Sequence, residues 1–152
     1  PMPADLVKKV EKAATFNEGF KTVEYLSSAI LDLKIHLSKE PEIDPKKFES
    51  ITLKEIGMPN EMVMRHRLPQ FGHIFSSDAY SAGYYSYLWA DVITADSFEA
   101  FTEAKGPYDK DVAAKLKRFI FSTGNTIDPG EEYRLFRGRD PKVEALMRKR
   151  GF

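Results

Sequence analysis

The chain has 152 residues, of which 42% are hydrophobic and 30% are charged, a balance typical of a globular protein. Its 23 Lys and Arg residues equal its 23 Asp and Glu residues, so there is no net field to attract nucleic acid or an anionic membrane. There is no cysteine, which excludes disulfides, zinc knuckles and thiol nucleophiles. No apolar run approaches the roughly 20 residues that cross a bilayer. We therefore predict a single domain over residues 1–152, with neither nucleic acid nor membrane as a partner.

The first part of the chain carries the start signals of three helices. Pro3 suits the first turn of one helix, and Asn17 can cap a second over about residues 18–39. The apolar residues of this second helix recur at helical spacing and predict its buried face: Phe20, Val23, Leu26, Ile30, Leu33 and Leu37. Asp44 caps a third helix that begins at Pro45.

The remainder of the chain predicts further helices after an irregular stretch. Residues 58–78 contain prolines and aromatics without a period, and a long helix is predicted from Ala79 to Ala104. Later helix starts are marked by aspartates, two of which precede proline: Asp109, Asp128 and Asp140. The β-branched residues never alternate over four or more positions, so no strand is predicted. The sequence therefore predicts an all-α fold.

Metal binding can be judged from the spacing of the histidines, which are His36, His66 and His73. Zinc peptidases usually place two histidines four residues apart on a helix, with a glutamate between them as general base. No pair in this chain has that spacing. His36 and Glu40 could pair across one helical turn, but no third ligand is in sight. We predict no metal site in this chain, and the motif of a serine nucleophile is absent as well.

The most informative segment is FGHIFSSDAYSAGYYSYLWADV, residues 71–92. On the predicted helix, Tyr80, Tyr84 and Tyr87 are spaced i, i+4, i+7 and form one stripe of hydroxyls, whereas Tyr85 falls on an adjacent stripe that is apolar enough to be core. The hydroxyl stripe is either core packing with satisfied hydroxyls or the wall of a cleft for a polar ligand. The chain uses 11 phenylalanines, which pack without a hydroxyl to desolvate, and this argues for the cleft wall.

Several segments together resemble one family of zinc peptidases. They are HIFSSDAYSAGYYSYLWADV, TFNEGFKTVEYL, IFSTGNTIDPGEEYRLFRGRDPKVEAL and the terminal RKRGF. The chain resembles, over essentially all its residues, the family of thimet oligopeptidase, oligopeptidase A and bacterial peptidyl-dipeptidase, and its AGYY is closest to the last branch. In this family the zinc-binding HExxH helix and the third, glutamate ligand lie upstream of the matching region. The resemblance implies a C-terminal fragment that lacks the zinc site and the large N-terminal part of its parent.

The resemblance also implies roles for particular residues. Tyr87 and Tyr80 correspond to tyrosines that donate hydrogen bonds to the oxyanion formed when water attacks the peptide carbonyl beside the zinc. His73 corresponds to a histidine that binds the substrate backbone, and Tyr84 matches a further tyrosine of the pocket. A preorganised neutral donor of this kind typically contributes about 10²- to 10³-fold in rate.

Further expectations concern the activity of the parent and the behaviour of the fragment alone. We expect the parent to cleave short peptides, releasing C-terminal dipeptides, in the cytoplasm of a bacterium. The fragment alone should hydrolyse nothing and hold no zinc. It should also self-associate, because the face that packs on the missing part would be exposed. The alternative is a free-standing helical module that binds peptides without cleaving them. An HExxH motif upstream of Pro1 would decide for the peptidase.

Overall fold

A computed structural model describes residues 2–152 and confirms the all-α prediction, because these residues form helices and turns without a strand. The contacts divide the chain into two compact units, one ending at Leu88 and the other comprising Trp89–Phe152. This division does not test whether the chain folds as one domain, which stays a prediction. The α-helices are α1 Ala4–Ala14, α2 Glu18–Leu37, α3 Pro45–Glu55, α4 Tyr85–Glu103, α5 Lys110–Leu116, α6 Pro129–Arg137 and α7 Val143–Arg150.

The buried face of α2 differs from the predicted one. Phe20, Leu26 and Leu37 of the predicted stripe are 49%, 39% and 74% exposed. The buried residues of α2 are Ser27, Ser28, Ala29, Leu31 and Asp32. Both serine hydroxyls donate to the carbonyl of Glu24 within the helix, so burying them leaves no donor unsatisfied. Their small side chains form part of the face that the first unit buries.

Two 3₁₀ turns carry most of the core of the first unit, over Leu68–Gln70 and Gly72–Phe75. Leu68 belongs to the first turn, Ile74 belongs to the second, and Phe71 lies between them. All three are buried and join Leu31 and Met64 in one apolar cluster. Residues 58–78 form turns and these two short 3₁₀ helices, which confirms the predicted irregular stretch, and they supply four of the five residues of the apolar cluster.

The predicted helix caps fall into two groups. Asp44 accepts from the N–H groups of Lys46 and Lys47 at 2.9 and 3.0 Å, which confirms the cap of α3. Asn17 precedes α2 as predicted, but its backbone is left-handed, with φ 58°, and its side chain caps nothing. The side chain was the wrong basis for that prediction, since asparagine tolerates a left-handed turn.

The long helix α4 begins six residues later than predicted, at Tyr85 instead of Ala79. Residues 79–84 form turns, and Ala82 has a left-handed backbone with φ 55°. Tyr80 and Tyr84 therefore do not lie on one helix with Tyr87, and the predicted helical stripe is wrong. The boundary between the two units falls inside α4, after Leu88.

The second unit follows its predicted helix starts with one exception. Asp109 caps α5 by accepting the N–H groups of Asp111 and Val112 at 2.9 and 3.0 Å, and Asp128 caps α6 by accepting that of Glu131 at 3.1 Å. α5 continues into a π-helical turn, Lys117–Phe121. Asp140 caps no helix, because α7 starts only at Val143 and the Asp140 side chain pairs with Arg134 instead. Within residues 2–152, no helix has both the length and the apolar character that crossing a bilayer requires.

Candidate functional site

The first unit brings the four predicted site residues together around His73. The ring of His73 lies 4.6 Å from that of Tyr80, 5.6 Å from that of Tyr84 and 6.0 Å from that of Tyr87, measured between centroids. Tyr84 and Tyr87 are 5.3 Å apart in an edge-to-face arrangement. Tyr80 and Tyr84 lie in turns, and Tyr87 lies in the first two turns of α4. The group is therefore assembled by tertiary packing and not by spacing along one helix.

A cleft of about 400 Å³ opens beside this group. It is lined by Tyr25, His66, Gln70, Phe71, Gly72, His73, Tyr84 and Tyr87. Three of the predicted residues thus line the cleft, while Tyr80 contacts His73 from outside the lining. Apolar rings with a few hydroxyl and imidazole groups suit a ligand that is partly polar, such as a peptide.

Tyr84 is held most firmly, because its ring contacts Tyr25, Phe71, His73 and Tyr87. Burial raises the pKa of Tyr84. The nearby Arg65 acts to lower it, whereas Tyr87 and Glu24 act to raise it further. The hydroxyl of Tyr84 therefore stays protonated over the neutral range and remains a hydrogen-bond donor.

Tyr80 and Tyr87 are more accessible, with 45% and 47% of their surfaces exposed. Tyr85 is 51% exposed, so its prediction as a core residue is wrong. Tyr85 and Tyr87 therefore share one helix and almost the same exposure, but Tyr85 is not one of the rings around His73. This difference makes the two tyrosines a matched pair for experiment.

The three basic residues 65–67, which precede the site segment in the sequence, make separate contacts. Arg65 pairs with Glu24 at 2.9 Å, and Arg67 pairs with the buried carboxylate of Glu49. His66 stacks on Phe71 at 5.2 Å and lines the cleft. Of these three residues, His66 is the one that the structure places among the lining groups.

The part of the chain that the structure describes does not fit a zinc site. Among residues 2–152 there is no group of three or more His, Asp or Glu side chains placed to hold a metal ion. The cleft contributes imidazoles and phenols, and a zinc ion needs three or four nitrogen, sulfur or carboxylate ligands converging on one point. His36, the candidate partner of Glu40, instead faces Asp32, with Nδ1 2.8 Å from the carboxylate.

A larger cleft, of about 640 Å³, lies elsewhere in the first unit, along the end of α2 and along α3. Three of its charged groups already have structural tasks, since Lys34 pairs with Glu55 and Asp44 caps α3. It gathers no group of rings, so we place the candidate site at the smaller cleft beside His73.

Sequence reasoning missed two buried carboxylates that hold the segment around the site. Asp32 of α2 accepts the N–H groups of Ala82 and Tyr84 at 3.1 and 2.8 Å. Glu49 of α3 accepts the N–H of Leu68 at 2.7 Å, next to the first 3₁₀ turn. An acidic residue inside an otherwise apolar helical stretch, as in AILDL, is the signal that could have revealed Asp32.

Comparison with known proteins identifies the family. The model of peptidase family M3 matches residues 1–152. The chain belongs to peptidase family M3. This is a family of zinc metallopeptidases, and the match confirms the resemblance stated from the sequence. The two compact units, the cleft and the group of tyrosines all lie within the matched residues.

Three relatives show the range of the similarity. The dipeptidyl carboxypeptidase and the oligopeptidase A of Escherichia coli strain K12 are each 32% identical over 154 residues. The probable cytosolic oligopeptidase A of Arabidopsis thaliana is 34% identical over 161 residues. Each match covers 99% of this chain but 22% of the relative. The chain thus spans about a fifth of the length of these curated relatives.

Proposed function

We propose that this chain is the C-terminal, substrate-binding part of a zinc-dependent oligopeptidase that cleaves short peptides, releasing C-terminal dipeptides. The observation that carries the proposal is the grouping of Tyr80, Tyr84 and Tyr87 around His73 at a cleft. The membership in family M3 and the names of the relatives support the reaction class. The zinc of such an enzyme would be held by residues outside this stretch.

In this proposal the tyrosines stabilise charge. When the peptide carbonyl is attacked, negative charge develops on its oxygen, and hydroxyls already in place can donate to that oxygen without a reorganisation cost. Tyr87 and Tyr80, with their accessible rings, are the proposed donors. His73, in contact with all three tyrosines, would hold the backbone of the substrate, and Tyr84 would complete the wall of the cleft.

The test is to replace Tyr87 by phenylalanine in the intact protein. Tyr87→Phe should lower kcat by about 10²-fold or more and change KM little, because the lost donor serves mainly the transition state. Tyr85→Phe is the matched control and should change kcat much less. His73→Ala should raise KM, as expected for a group that holds the substrate before and during the reaction.

Equal and small effects of Tyr87→Phe and Tyr85→Phe on kcat would show that the tyrosines only pack. Peptide binding without cleavage by the intact protein would favour the alternative, a peptide-binding module. An intact gene with no HExxH upstream of the codon for Pro1 would favour the same alternative.

Several properties of the chain by itself stay predictions. It should hydrolyse no peptide and retain no stoichiometric zinc, which metal analysis after dialysis against zinc would check. It should also self-associate, because α1 buries none of its side chains, and Val10 and Phe16 are 56% and 71% exposed. Sedimentation showing a monomer at all concentrations would contradict this. The bacterial, cytoplasmic setting also stays a prediction.

A further inference from the structure

Asp32 lies in the middle of α2 and is fully buried. Its carboxylate has three polar partners: Oδ1 accepts the N–H of Ala82, Oδ2 accepts the N–H of Tyr84, and Oδ1 also lies 2.8 Å from Nδ1 of His36. Two of the three partners are backbone groups about fifty residues further along the chain. The carboxylate therefore fixes the path of a distant segment.

The amides of residues 80–84 show why this segment needs an outside acceptor. Those of Tyr80, Ser81 and Gly83 donate to backbone carbonyls three residues earlier, at 3.0 to 3.3 Å. The other two, of Ala82 and Tyr84, donate to Asp32. A buried N–H group without an acceptor is costly, so Asp32 completes the hydrogen bonding of the turn.

The backbone of Ala82 gives a second, independent sign of constraint. Its φ of 55° is left-handed, a conformation that costs an alanine free energy and that the adjacent Gly83 would adopt more easily. Strained backbone persists where its surroundings determine it. The bond from the Ala82 N–H to Asp32 holds the chain in this conformation.

We infer that Asp32 is a positioning residue that places Tyr80 and Tyr84 against His73. Ala82 and Tyr84 lie in the turn segment that precedes α4, and the ring of Tyr84 contacts both His73 and Tyr87. The consequence for catalysis rests on the proposed function, whereas the positioning itself does not. Asp32 acts through the N–H groups of Ala82 and Tyr84, in the segment that carries the rings of Tyr80 and Tyr84.

The test uses amide hydrogen exchange, resolved residue by residue by NMR in the 152-residue chain. Asp32→Asn keeps the shape but loses the charge and one acceptor, and it should speed exchange at Ala82 and Tyr84 by about 10- to 100-fold. Glu49→Gln is the matched control, since Glu49 is also a buried carboxylate that accepts a backbone N–H. It should speed exchange at Leu68 and leave Ala82 and Tyr84 unchanged.

Two outcomes would overturn the inference. Unchanged exchange at Ala82 and Tyr84 in Asp32→Asn would show that the carboxylate does not hold them. Uniformly faster exchange, including at Leu68, would show that Asp32 supports the whole unit and not this turn. Local acceleration at Ala82 and Tyr84 alone supports the inference, whatever happens to activity.

Kinetics of the intact protein separate the inference from the proposed function. If displaced tyrosines matter for catalysis, Asp32→Asn should lower kcat by more than it raises KM, and its effect should largely disappear in a Tyr80→Phe, Tyr87→Phe background. Local acceleration of exchange with an unchanged kcat would leave the positioning intact and would count against the proposed role of the tyrosines.

Discussion

Asp32 in the first unit and Asp96 in the second are both fully buried, but they bind different kinds of partner. Asp32 accepts the backbone N–H groups of Ala82 and Tyr84. Asp96 accepts hydrogen bonds from side chains. Arg139 donates two of them, at 2.7 and 2.9 Å, and the hydroxyl of Tyr133 donates another. A carboxylate that binds main chain determines where a segment lies. One that binds guanidinium groups compensates charge and joins elements of the second unit.

The surroundings of Asp96 are correspondingly more ionic. Arg137 lies 3.4 Å from Asp96 and also forms a bidentate pair with Glu103 at 2.7 and 2.9 Å. Burial acts to raise the pKa of Asp96, but hydrogen bonds from Arg139, Tyr133 and Arg137 outweigh it and hold the pKa below its ordinary value. The comparison indicates that Asp96 serves stability and that Asp32 serves the geometry of the site.

The largest effect on stability should come from Asp96→Ala. The change leaves Arg139 and the buried end of Arg137 without their shared acceptor, and breaking a buried pair in this way costs about 3–5 kcal/mol. Urea unfolding followed by circular dichroism would measure the loss. The control is Asp140→Ala, whose exposed carboxylate pairs with Arg134, and its change should be within experimental error. Similar losses of stability in both variants would show that the buried network around Asp96 contributes no more than a surface ion pair.

A smaller and graded effect should appear in the pH dependence of stability. Because the folded pKa of Asp96 is depressed, its contribution is fully present above the ordinary pKa of about 4 and is lost as the pH falls through the folded value. Burial and then the hydrogen bond to Asp96 raise the pKa of Tyr133 to about 12. Stability should therefore also fall as the pH rises from about 10, the ordinary pKa of a phenol, towards 12.

The free energy of unfolding, measured by urea titration from pH 2 to pH 11, would check both limbs. Asp96→Ala removes the carboxylate and its bond to Tyr133, so its profile should be flatter than that of the unchanged chain at both ends. Parallel profiles for the two proteins would assign the pH dependence to other groups, such as Glu103 and Asp109, whose pKa values are also lowered.

The smallest effect should come from Lys34→Ala in the first unit. Lys34 and Glu55 join α2 to α3, but their side chains are 42% and 55% exposed. A pair in this position contributes less than about 1 kcal/mol and is weakened by salt. Thermal unfolding at low and high salt would measure it. A loss as large as that of Asp96→Ala would remove the distinction between buried and surface ion pairs.

The site shows which of its features could be predicted from the sequence and which could not. The spacing of Tyr80, Tyr84 and Tyr87 suggested that they act together, and the structure groups them around His73. The reason given, one continuous helix, was wrong because α4 starts at Tyr85. In a helix the N–H groups of Ala82 and Tyr84 would bond to carbonyls four residues earlier, and Asp32 takes both of them instead.

The sequence by itself determined the all-α class and the starts of α3, α5 and α6. In each of these starts an aspartate accepts N–H groups within three residues of itself, so the interaction is complete inside the local segment. The family was also readable from the sequence, because its motifs are continuous stretches of residues.

The tertiary structure alone decided which face of α2 is buried, where α4 begins and how the rings meet at the cleft. These features depend on contacts between residues about fifty positions apart, such as Asp32 with Tyr84. Helical periodicity cannot anticipate them, because it reports only neighbours within one helix, whereas the charged acceptor of the Ala82 and Tyr84 N–H groups lies about fifty residues earlier in the chain.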